Sequence, residues 1–591
     1  MMNRLLIIAT LCVILPRMAV AQVERQVEVT KKFVPSVERA EKLPIMPDMT
    51  DTTRIYPDID YTITPLSIQT AFQLKPIRPA TVTYWEFNRP LPFYLKVGVG
   101  YPLNSVLDFY ATTQNPSVGY AIGYVNHDGR YAKIRNDFGD RHSATRINNR
   151  IGATAGKYLG RHILEGEISY ENRLYYRYGA HRSPVFDEIV NSSNGASDFA
   201  LASPATAVDY GDGRIMIRVG DDFHDLNRVN FEVSLRGGMF FDHSDWPNYK
   251  DKARQISLDV GGRIARAWGK HRIVANLSYM RFSGQKAIDN YLQQQVRAGI
   301  RYGRESDFLT YEVGADYYHD KIEGEKSGNY ILPHIRLDFN LGTKKLRPFV
   351  EIDGQVAAND YRSLTRQNPY LYPTSLVDKS SVDYNGHFGI AGTLSRDRFS
   401  YRVYATYSIH DNHLYWYGLG TYLPVDKIYI EAATCIMPHT ARQTAVSFHG
   451  EMEWHPITSL LLNLGLHGFI YDNESVYKSG DPSIKGNLAV RYTGKKVALG
   501  VAAILQGSRE WTMEDNRMFA NTDESWLTTA PIRSTFEVPC SIDLRVNFAW
   551  KLSSTVGIFA EVHNLLNERI YEYLWHPEYG INFTAGVKLN F

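Results

Sequence analysis

Hydrophobic and polar residues alternate along most of the chain, and the last eleven residues show the pattern most clearly. In INFTAGVKLNF, residues 581–591, every second position is apolar and the intervening positions are polar or small. The segments 93–101, 229–240, 256–264 and 541–550 repeat this alternation. A period of two predicts β-strands with one apolar face and one polar face.

The length of these segments distinguishes a soluble sheet from a membrane sheet. Strands of soluble domains run to about 5–6 residues, whereas a strand that crosses a bilayer at a tilt needs about 9–11. The full-length segments here run to about 9–13 residues, and about 22 of them fit between residues 93 and 591. The sequence therefore predicts an all-β fold, a large transmembrane antiparallel β-barrel of about 22 strands.

The connections between the predicted strands are of two kinds. Some are tight, such as 267–272 and 551–555, and others are long and polar, such as 179–210, 358–381 and 508–536. Short turns at one end and long loops at the other are typical of outer-membrane barrels. A lumen enclosed by about 22 strands leaks unless something fills it, so we expect loops, an N-terminal segment or a partner to block it.

The N-terminus differs from the rest of the chain. A basic start at Arg4, an apolar stretch over 5–15 and the small residues 19–21 form a secretory signal peptide over residues 1–21. Residues 22–92 are rich in proline, which breaks helices and withholds donors from sheet ladders. We predict an extended arm over 22–92, periplasmic or lumenal, and a barrel over 93–591.

Charge and cysteine content narrow the partners. Removing residues 1–21 takes away two arginines and no acidic residue, so the mature chain carries equal numbers of basic and acidic residues. That balance predicts no nucleic-acid partner. Cys435 and Cys540 remain, and the sequence leaves open whether they pair.

The sequence offers no recognisable catalytic centre. It contains no zinc-protease, nucleophile-elbow, CxxC or phosphate-binding-loop motif. His142, His162, His181 and His243 are scattered among polar stretches, and we interpret them as surface histidines. We therefore predict no cofactor, no metal site and no enzymatic activity.

Two loop-like stretches are rich in aromatic residues, namely Tyr370, Tyr372, Tyr415, Trp416 and Tyr417. Such side chains can stack on a sugar ring or on a partner protein, which makes these five candidate ligand contacts. The alternative is that they belong to the aromatic girdle at the membrane–water boundary, where outer-membrane lipid is the contact.

The C-terminal segment carries a more specific pattern. An N-L-L-N run, Asn564 to Asn567, follows the penultimate strand, and Gly580, Ile581 and Phe583 open the last one. This arrangement resembles the C-terminal strands of TonB-dependent receptors, and the resemblance covers the barrel. It implies an outer-membrane location and the passage or uptake of a solute. These receptors carry a folded plug before the barrel, whereas here only residues 22–92 occupy that place.

The resemblance also suggests two partners. Val27, Glu28, Val29 and Thr30 resemble the TonB box, which adds a strand to the edge of the TonB sheet, although any extended arm has a similar composition. The terminal Phe591 resembles the signal that the barrel-assembly machinery recognises, and the alternative is that it belongs to the girdle.

Three functions are consistent with this pattern. The first is solute passage or uptake across the outer membrane. The second is a non-transporting scaffold or accessory barrel of an envelope complex. Independently of the function, TonB or another envelope protein is a candidate partner of the chain. An outer-membrane enzyme is the third and least favoured.

Overall fold

The computed structural model describes residues 91–113, 118–135, 139, 141–179, 207–223, 225–244, 252–372, 375–395, 398–423, 428–515 and 532–591. Nearly all of the regular structure in these residues is antiparallel sheet. Twenty-two strands form a closed barrel, as the length of the alternating segments predicted. A hairpin of two further strands joins the same sheet at one end.

The barrel strands are numbered β1 to β22 in chain order: Phe93–Tyr101, Asn104–Thr112, Gly119–Arg130, Arg146–Leu159, His162–Tyr176, Ala207–Asp221, Asn230–Asp242, Arg254–Trp268, His271–Gln285, Leu292–Arg304, Leu309–Ile322, Gly328–Phe339, Arg347–Ala357, Ser381–Leu394, Phe399–Leu423, Ile428–Ile457, Leu460–Asn473, Ile484–Thr493, Val497–Gln506, Ser541–Lys551, Val556–His563 and Asn582–Asn590. Within the described ranges, one α-helix, α1, spans Tyr361–Gln367, and a 3₁₀ turn spans Lys286–Ile288. Three short hairpins pair Lys133–Arg135 with Arg141–Ser143, Arg509–Asp515 with Ile532–Val538, and Tyr571–Tyr573 with His576–Pro577.

The first and last strands close the ring. β1 pairs with β22 in antiparallel register, from Tyr94 opposite Asn590 to Tyr101 opposite Phe583. Phe93 and Phe591 exchange backbone hydrogen bonds of 3.0 and 3.1 Å, and their rings stack at 5.3 Å. Closure leaves no open edge, which in hydrocarbon would leave unpaired backbone groups.

The two faces of the wall have different surroundings. The apolar face points outward, so Ile168, Val233 and Phe448 are each more than half exposed to the lipid side. The inner face carries charges that pair across neighbouring strands. Arg236 contacts Asp259 at 3.0 Å, for example. The alternation along each strand therefore separates hydrocarbon from an aqueous lumen, as expected for a membrane barrel.

Short and long connections lie at opposite ends of the barrel. Gly269 and Lys270 alone link β8 to β9, and Gly269 adopts φ +59°, which a glycine tolerates without strain. The long connections 358–380 and 564–581 start and end at the other end of the barrel. By the usual orientation of such barrels, short turns face the periplasm and long loops face outward. No helix among the described residues is long and apolar enough to cross a membrane.

β15 and β16 are far longer than the other strands. They contain 25 and 30 residues, whereas a tilted membrane strand needs about 9–11. Their paired ribbon therefore extends beyond the membrane band at the end with the long loops. There Gly418 and Gly420 of β15 pair in parallel with the hairpin strand Arg509–Asp515.

Several sequence-based predictions fall on residues that the structure does not describe. They comprise the signal peptide over residues 1–21, the arm over 22–92 except its last two residues, and the TonB-box-like residues Val27, Glu28, Val29 and Thr30. They stay predictions. Cys540 is exposed and unpaired, and the side chain of Cys435 lies outside the described residues.

Candidate functional site

The connection between β13 and β14, residues 358–380, folds into the barrel mouth around helix α1. Asp360 caps the helix, because its side chain accepts a hydrogen bond from the Ser363 amide at 3.3 Å. The helix ends at Gln367, two residues before Pro369. A cap and a proline at this spacing set a helix of two turns.

One face of α1 is held by an aspartate of the opposite wall. Arg362 and Arg366 lie four residues apart, so their side chains project from the same face. Both reach the Asp212 carboxylate of β6 at 2.9 Å, and Arg366 also contacts Glu171 of β5. Asp212 is almost completely buried and also contacts Arg214 of its own strand at 2.8 Å, so the two loop arginines share a carboxylate that keeps one partner when they leave.

The start of the helix is held by two further strands. The Tyr361 hydroxyl donates to Asp242 of β7 at 2.7 Å. The Gln255 amide of β8 donates to Asp360 at 2.7 Å, and its oxygen accepts from the Arg362 amide at 3.2 Å. Asp360 belongs to the loop and not to a barrel strand, and its burial raises the pKa of its carboxyl. Four consecutive strands, β5 to β8, thus bind a loop that originates at β13.

These contacts require the loop to cross the opening. Seven strand-to-strand spacings separate β6 from β13, which is roughly 34 Å of wall at about 4.8 Å per spacing. The loop also reaches β16, where the Tyr372 amide donates to the Ile436 carbonyl at 2.9 Å. A segment that starts at β13 and contacts both β6 and β16 spans the mouth and does not follow the rim.

A second loop, residues 564–581 between β21 and β22, meets the first at a cluster of aromatic side chains, which we call the mouth cluster: Tyr178, Tyr370, Tyr573 and His576. The His576 ring stacks on Tyr370 at 3.7 Å between centroids, with an interplanar angle of 16°. Tyr178 and Tyr573 approach Tyr370 edge-on, at 6.4 and 5.4 Å. Tyr178 also donates to the Pro577 carbonyl at 3.0 Å.

The mouth cluster is dry. Tyr370 is 5% exposed and His576 is fully buried. Burial lowers the pKa of His576 to about 3, so the ring is neutral, and its Nδ1 donates to the Leu574 carbonyl at 2.8 Å. Nearby, burial raises the pKa of the Glu578 carboxyl, and the neighbouring Glu572 charge adds to the effect.

The N-L-L-N run and the glycine that follows it shape the second loop. Asn564 adopts φ +48° directly after β21, and its amide nitrogen donates to the carbonyls of Glu568 and Tyr579 at 2.7 and 3.0 Å. Asn567 adopts φ +52° and accepts from the Ile581 amide at 2.9 Å. A Cβ on Gly580 would lie 2.4 Å from the Asn567 oxygen. The two sequence motifs are therefore the two ends of one folded loop.

The predicted ligand-contact aromatics divide into two groups. Tyr370, Tyr415 and Trp416 are at most 9% exposed, and Tyr415 donates to Asn473 at 3.1 Å. Tyr372 and Tyr417 are half-buried, and Tyr417 stacks on Tyr477 at 4.1 Å. In this closed arrangement the first three contact protein and neither lipid nor solvent. Their contact with a ligand stays a prediction.

The other predicted residues lie apart from the mouth. Phe591 lies at the seam between β1 and β22 and is about half exposed, so its position fits both an assembly signal and a girdle residue. His162 contacts Asp221 at 2.7 Å near the periplasmic end, and His243 is exposed. Within the described ranges, no group of three or more His, Cys, Asp or Glu residues could hold a metal ion.

Sequence reasoning missed the residues that close the mouth, chiefly Arg362, Arg366, Asp212 and His576. One local signal was available. In DYRSLTRQ, residues 360–367, an aspartate cap precedes two arginines at helical spacing, which predicts a short helix with a basic face. Its partner Asp212 lies about 150 residues away, and no local pattern connects the two.

Comparison with known proteins identifies the fold. No protein-family model matches the chain, and the search of curated proteins finds no match either. Among solved structures, the pyoverdine outer membrane receptor FpvA from Pseudomonas aeruginosa PAO1 is similar with a TM-score of 0.60 at 11% identity, over 85% of this chain and 79% of that one. The FrpB iron transporter from Neisseria meningitidis gives 0.63 at 10% identity, over 85% and 82%. The siderophore receptor PirA from Acinetobacter baumannii gives 0.59 at 12% identity, over 84% and 80%. At these identities the likeness shows the fold, that of a 22-strand outer-membrane barrel, and each of the three is a receptor or a transporter.

Proposed function

We propose that the chain is an outer-membrane barrel for the uptake of a solute, and that its own outer loops close its entrance. The observation that carries the proposal is the loop 358–380, which crosses the mouth of a barrel with a polar lumen. Passage through such a barrel requires this loop to move, because Tyr370 near its end is buried in the mouth cluster and leaves no water-filled path there.

The contacts of the loop suit a movable barrier. The barrel wall is held by continuous strand pairing that does not involve residues 358–380. The loop is held by side-chain contacts, chiefly the arginine pair on Asp212 and the stack of Tyr370 on His576, and by one backbone bridge to Ile436 of β16. Releasing them opens the mouth without breaking the barrel, and loops of this kind open at lower free energy than the sheet that carries them.

The solute is proposed by analogy. The similar structures are receptors or transporters for pyoverdine, iron and siderophores, which supports a scarce solute that is bound before it passes. We propose further that residues 22–92 take the place of a folded plug. Val27, Glu28, Val29 and Thr30 would pair with TonB by strand addition.

Conductance through a planar bilayer tests the proposal. The purified full-length protein is compared with a variant in which residues 360–371 are replaced by a short Gly-Ser linker. We expect small conductance from the first and a large, stable pore from the second. A matched control replaces residues 133–143, a hairpin between β3 and β4, with the same linker. Equal conductance in all three forms would refute closure by loop 358–380.

A scaffold is the second candidate, and the dryness of the mouth cluster favours it. A scaffold barrel has no solute to admit, so its mouth cluster can stay packed and free of water. Cross-linking Tyr178 to Tyr370, as a Cys pair, separates the two functions. Uptake through the barrel would be lost under oxidation and restored by reduction, whereas a scaffold would keep its envelope partners and its activity under both conditions.

A further inference from the structure

Histidines concentrate on one wall of the lumen. Seven of the 18 histidines of the chain lie on β14 to β17: His387, His410, His413, His439, His449, His455 and His467. His449 and His467 face the lumen, because Phe448 and Leu466 beside them point to lipid and are more than half exposed. Imidazole nitrogens that face a watery lumen are available to a solute.

His449 and His467 form a close pair. They lie directly opposite each other in the register of β16 and β17. Their Nδ1 atoms are 2.7 Å apart, and their ring centroids are 5.0 Å apart. Only one hydrogen lies between the two nitrogens, so one ring donates and the other accepts. Both Nδ1 lone pairs can serve one metal ion if each ring carries its hydrogen on Nε2 instead.

The surroundings favour that arrangement of hydrogens. Nε2 of His449 lies 2.8 Å from the Ser447 hydroxyl, which can accept its hydrogen. A Cβ on Gly465 would lie 3.2 Å from Nε2 of His467 and 2.3 Å from the Asn487 side-chain oxygen. The missing side chain at 465 therefore leaves room for both atoms. Metal-bound histidines usually donate the second ring hydrogen to a neighbouring oxygen, which fixes the ring.

Charges of both signs surround the pair. Glu451 lies two residues beyond His449 on the same face of β16, and it accepts from the Tyr404 hydroxyl at 3.2 Å. The Tyr404 ring stacks on His449 at 4.4 Å and limits its rotation. The neighbouring cations are engaged elsewhere: Arg402 contacts Glu351 at 3.7 Å, and Lys485, opposite His467 in the register of β17 and β18, lies over the Phe469 ring at 5.6 Å. A lumenal pocket of about 530 Å³ runs past His467, so the site has access to solvent.

We propose that His449 and His467 form a two-histidine site for a borderline divalent transition-metal ion, such as Cu²⁺, Ni²⁺ or Zn²⁺, on the lumenal wall. Imidazole suits these ions, and Cu²⁺ binds most tightly of the three at a given nitrogen site. With metal–nitrogen bonds of about 2.0–2.1 Å, the two Nδ1 atoms need to separate by only a few tenths of an ångström. Water completes the coordination, since the two imidazoles are the only protein ligands proposed. The site depends on side-chain geometry alone and does not require that the barrel transport anything.

Copper binding to the purified full-length barrel, prepared in detergent without a histidine tag, tests the site. Isothermal titration measures the affinity for Cu²⁺, and electron paramagnetic resonance counts the coordinating nitrogens. We expect a tight Cu²⁺ with two imidazole nitrogens. Replacing either histidine, as His449→Gln or His467→Gln, should weaken binding about tenfold or more, since even the loss of an outer-shell partner costs that much.

His455→Gln is the matched control, because His455 is an exposed histidine on β16 that contacts Glu453 at 2.9 Å. It should retain the wild-type affinity and spectrum. Circular dichroism and heat-dependent gel migration verify that each variant is a folded barrel. The proposal is overturned if the folded His449→Gln/His467→Gln double variant keeps the wild-type affinity, or if the wild-type spectrum shows fewer than two nitrogens.

Discussion

Replacing Tyr370 with alanine should open the mouth of the barrel. Tyr370 is 5% exposed, stacks on His576 and receives the edges of Tyr178 and Tyr573. Removing a buried aromatic side chain costs about 3–5 kcal/mol. Tyr370 and its partners come from three separate connections, so the cost falls on the association of these connections with one another. At about 1.4 kcal/mol per tenfold, the equilibrium between open and closed mouth shifts by more than a hundredfold toward the open form.

Single-channel recording in a planar bilayer measures that shift as the fraction of time a pore conducts. We expect the Tyr370→Ala barrel to open frequently where the wild type rarely opens. Tyr131→Ala provides the control, because Tyr131 lies in a different connection at the same end and is 37% exposed. If Tyr370→Ala folds as a heat-stable barrel and still conducts no more than the wild type, the mouth cluster does not close the pore.

Three further predictions concern the mouth and the seam. The pKa of His576 is about 3 when the ring is buried and about 6.5 when it is exposed, so the open form binds the proton more strongly and lowering the pH from 6.5 toward 4 should raise the open fraction. The raised pKa of Glu578 acts in the opposite direction. Single-channel recordings of the wild type and of His576→Phe across that pH range therefore isolate the contribution of His576 as their difference. Asn564→Ala leaves two carbonyls of the second loop without their donor and should lower the free energy of unfolding, measured by urea titration, by about 2–3 kcal/mol. Leu565→Ala, at an exposed position, is the control and should change that free energy little. Gly586→Ala places a Cβ 1.9 Å from the Val97 carbonyl at the seam and should lower the free energy of unfolding by about 1–3 kcal/mol. A urea midpoint equal to that of the wild type would show that the backbone at the seam shifts to make room for the methyl group.

The wall of the barrel could be predicted from the sequence because its determinants are local. Each strand needs only alternating residues and sufficient length, and both are visible within about ten positions. The segment 93–101 coincides with β1, and 541–550 with β20 except for one residue. The pairing of the last strand with the first followed from the absence of water in hydrocarbon, which forbids an open edge.

The mouth could not be predicted because its contacts join distant parts of the chain. Tyr370 and His576 are about 200 residues apart, and nothing in the residues around either one indicates the other. Aromatic residues at strand ends fit the membrane girdle on composition alone. The structure instead buries Tyr178 and Tyr370 against other loops, which is a tertiary effect that overrides the local expectation. Histidines 449 and 467 were missed for the same reason, since their strands must pair before the rings meet.

The lumenal wall formed by the described strands offers little charge selectivity, which under the proposed uptake function leaves recognition to the mouth. Selective pores expose rings of unpaired charge or oriented dipoles to the passing solute. Here the charges of the wall neutralise one another across strands. Arg218 lies between Glu165 and Glu232, at 3.2 and 3.3 Å, and Asp316 lies between two arginines at 3.1 Å. A solute that has passed the mouth therefore meets a polar wall of nearly balanced charge. Under the proposed uptake function, discrimination between solutes would therefore occur earlier, at loop 358–380, or at a specific group such as the histidine pair of β16 and β17.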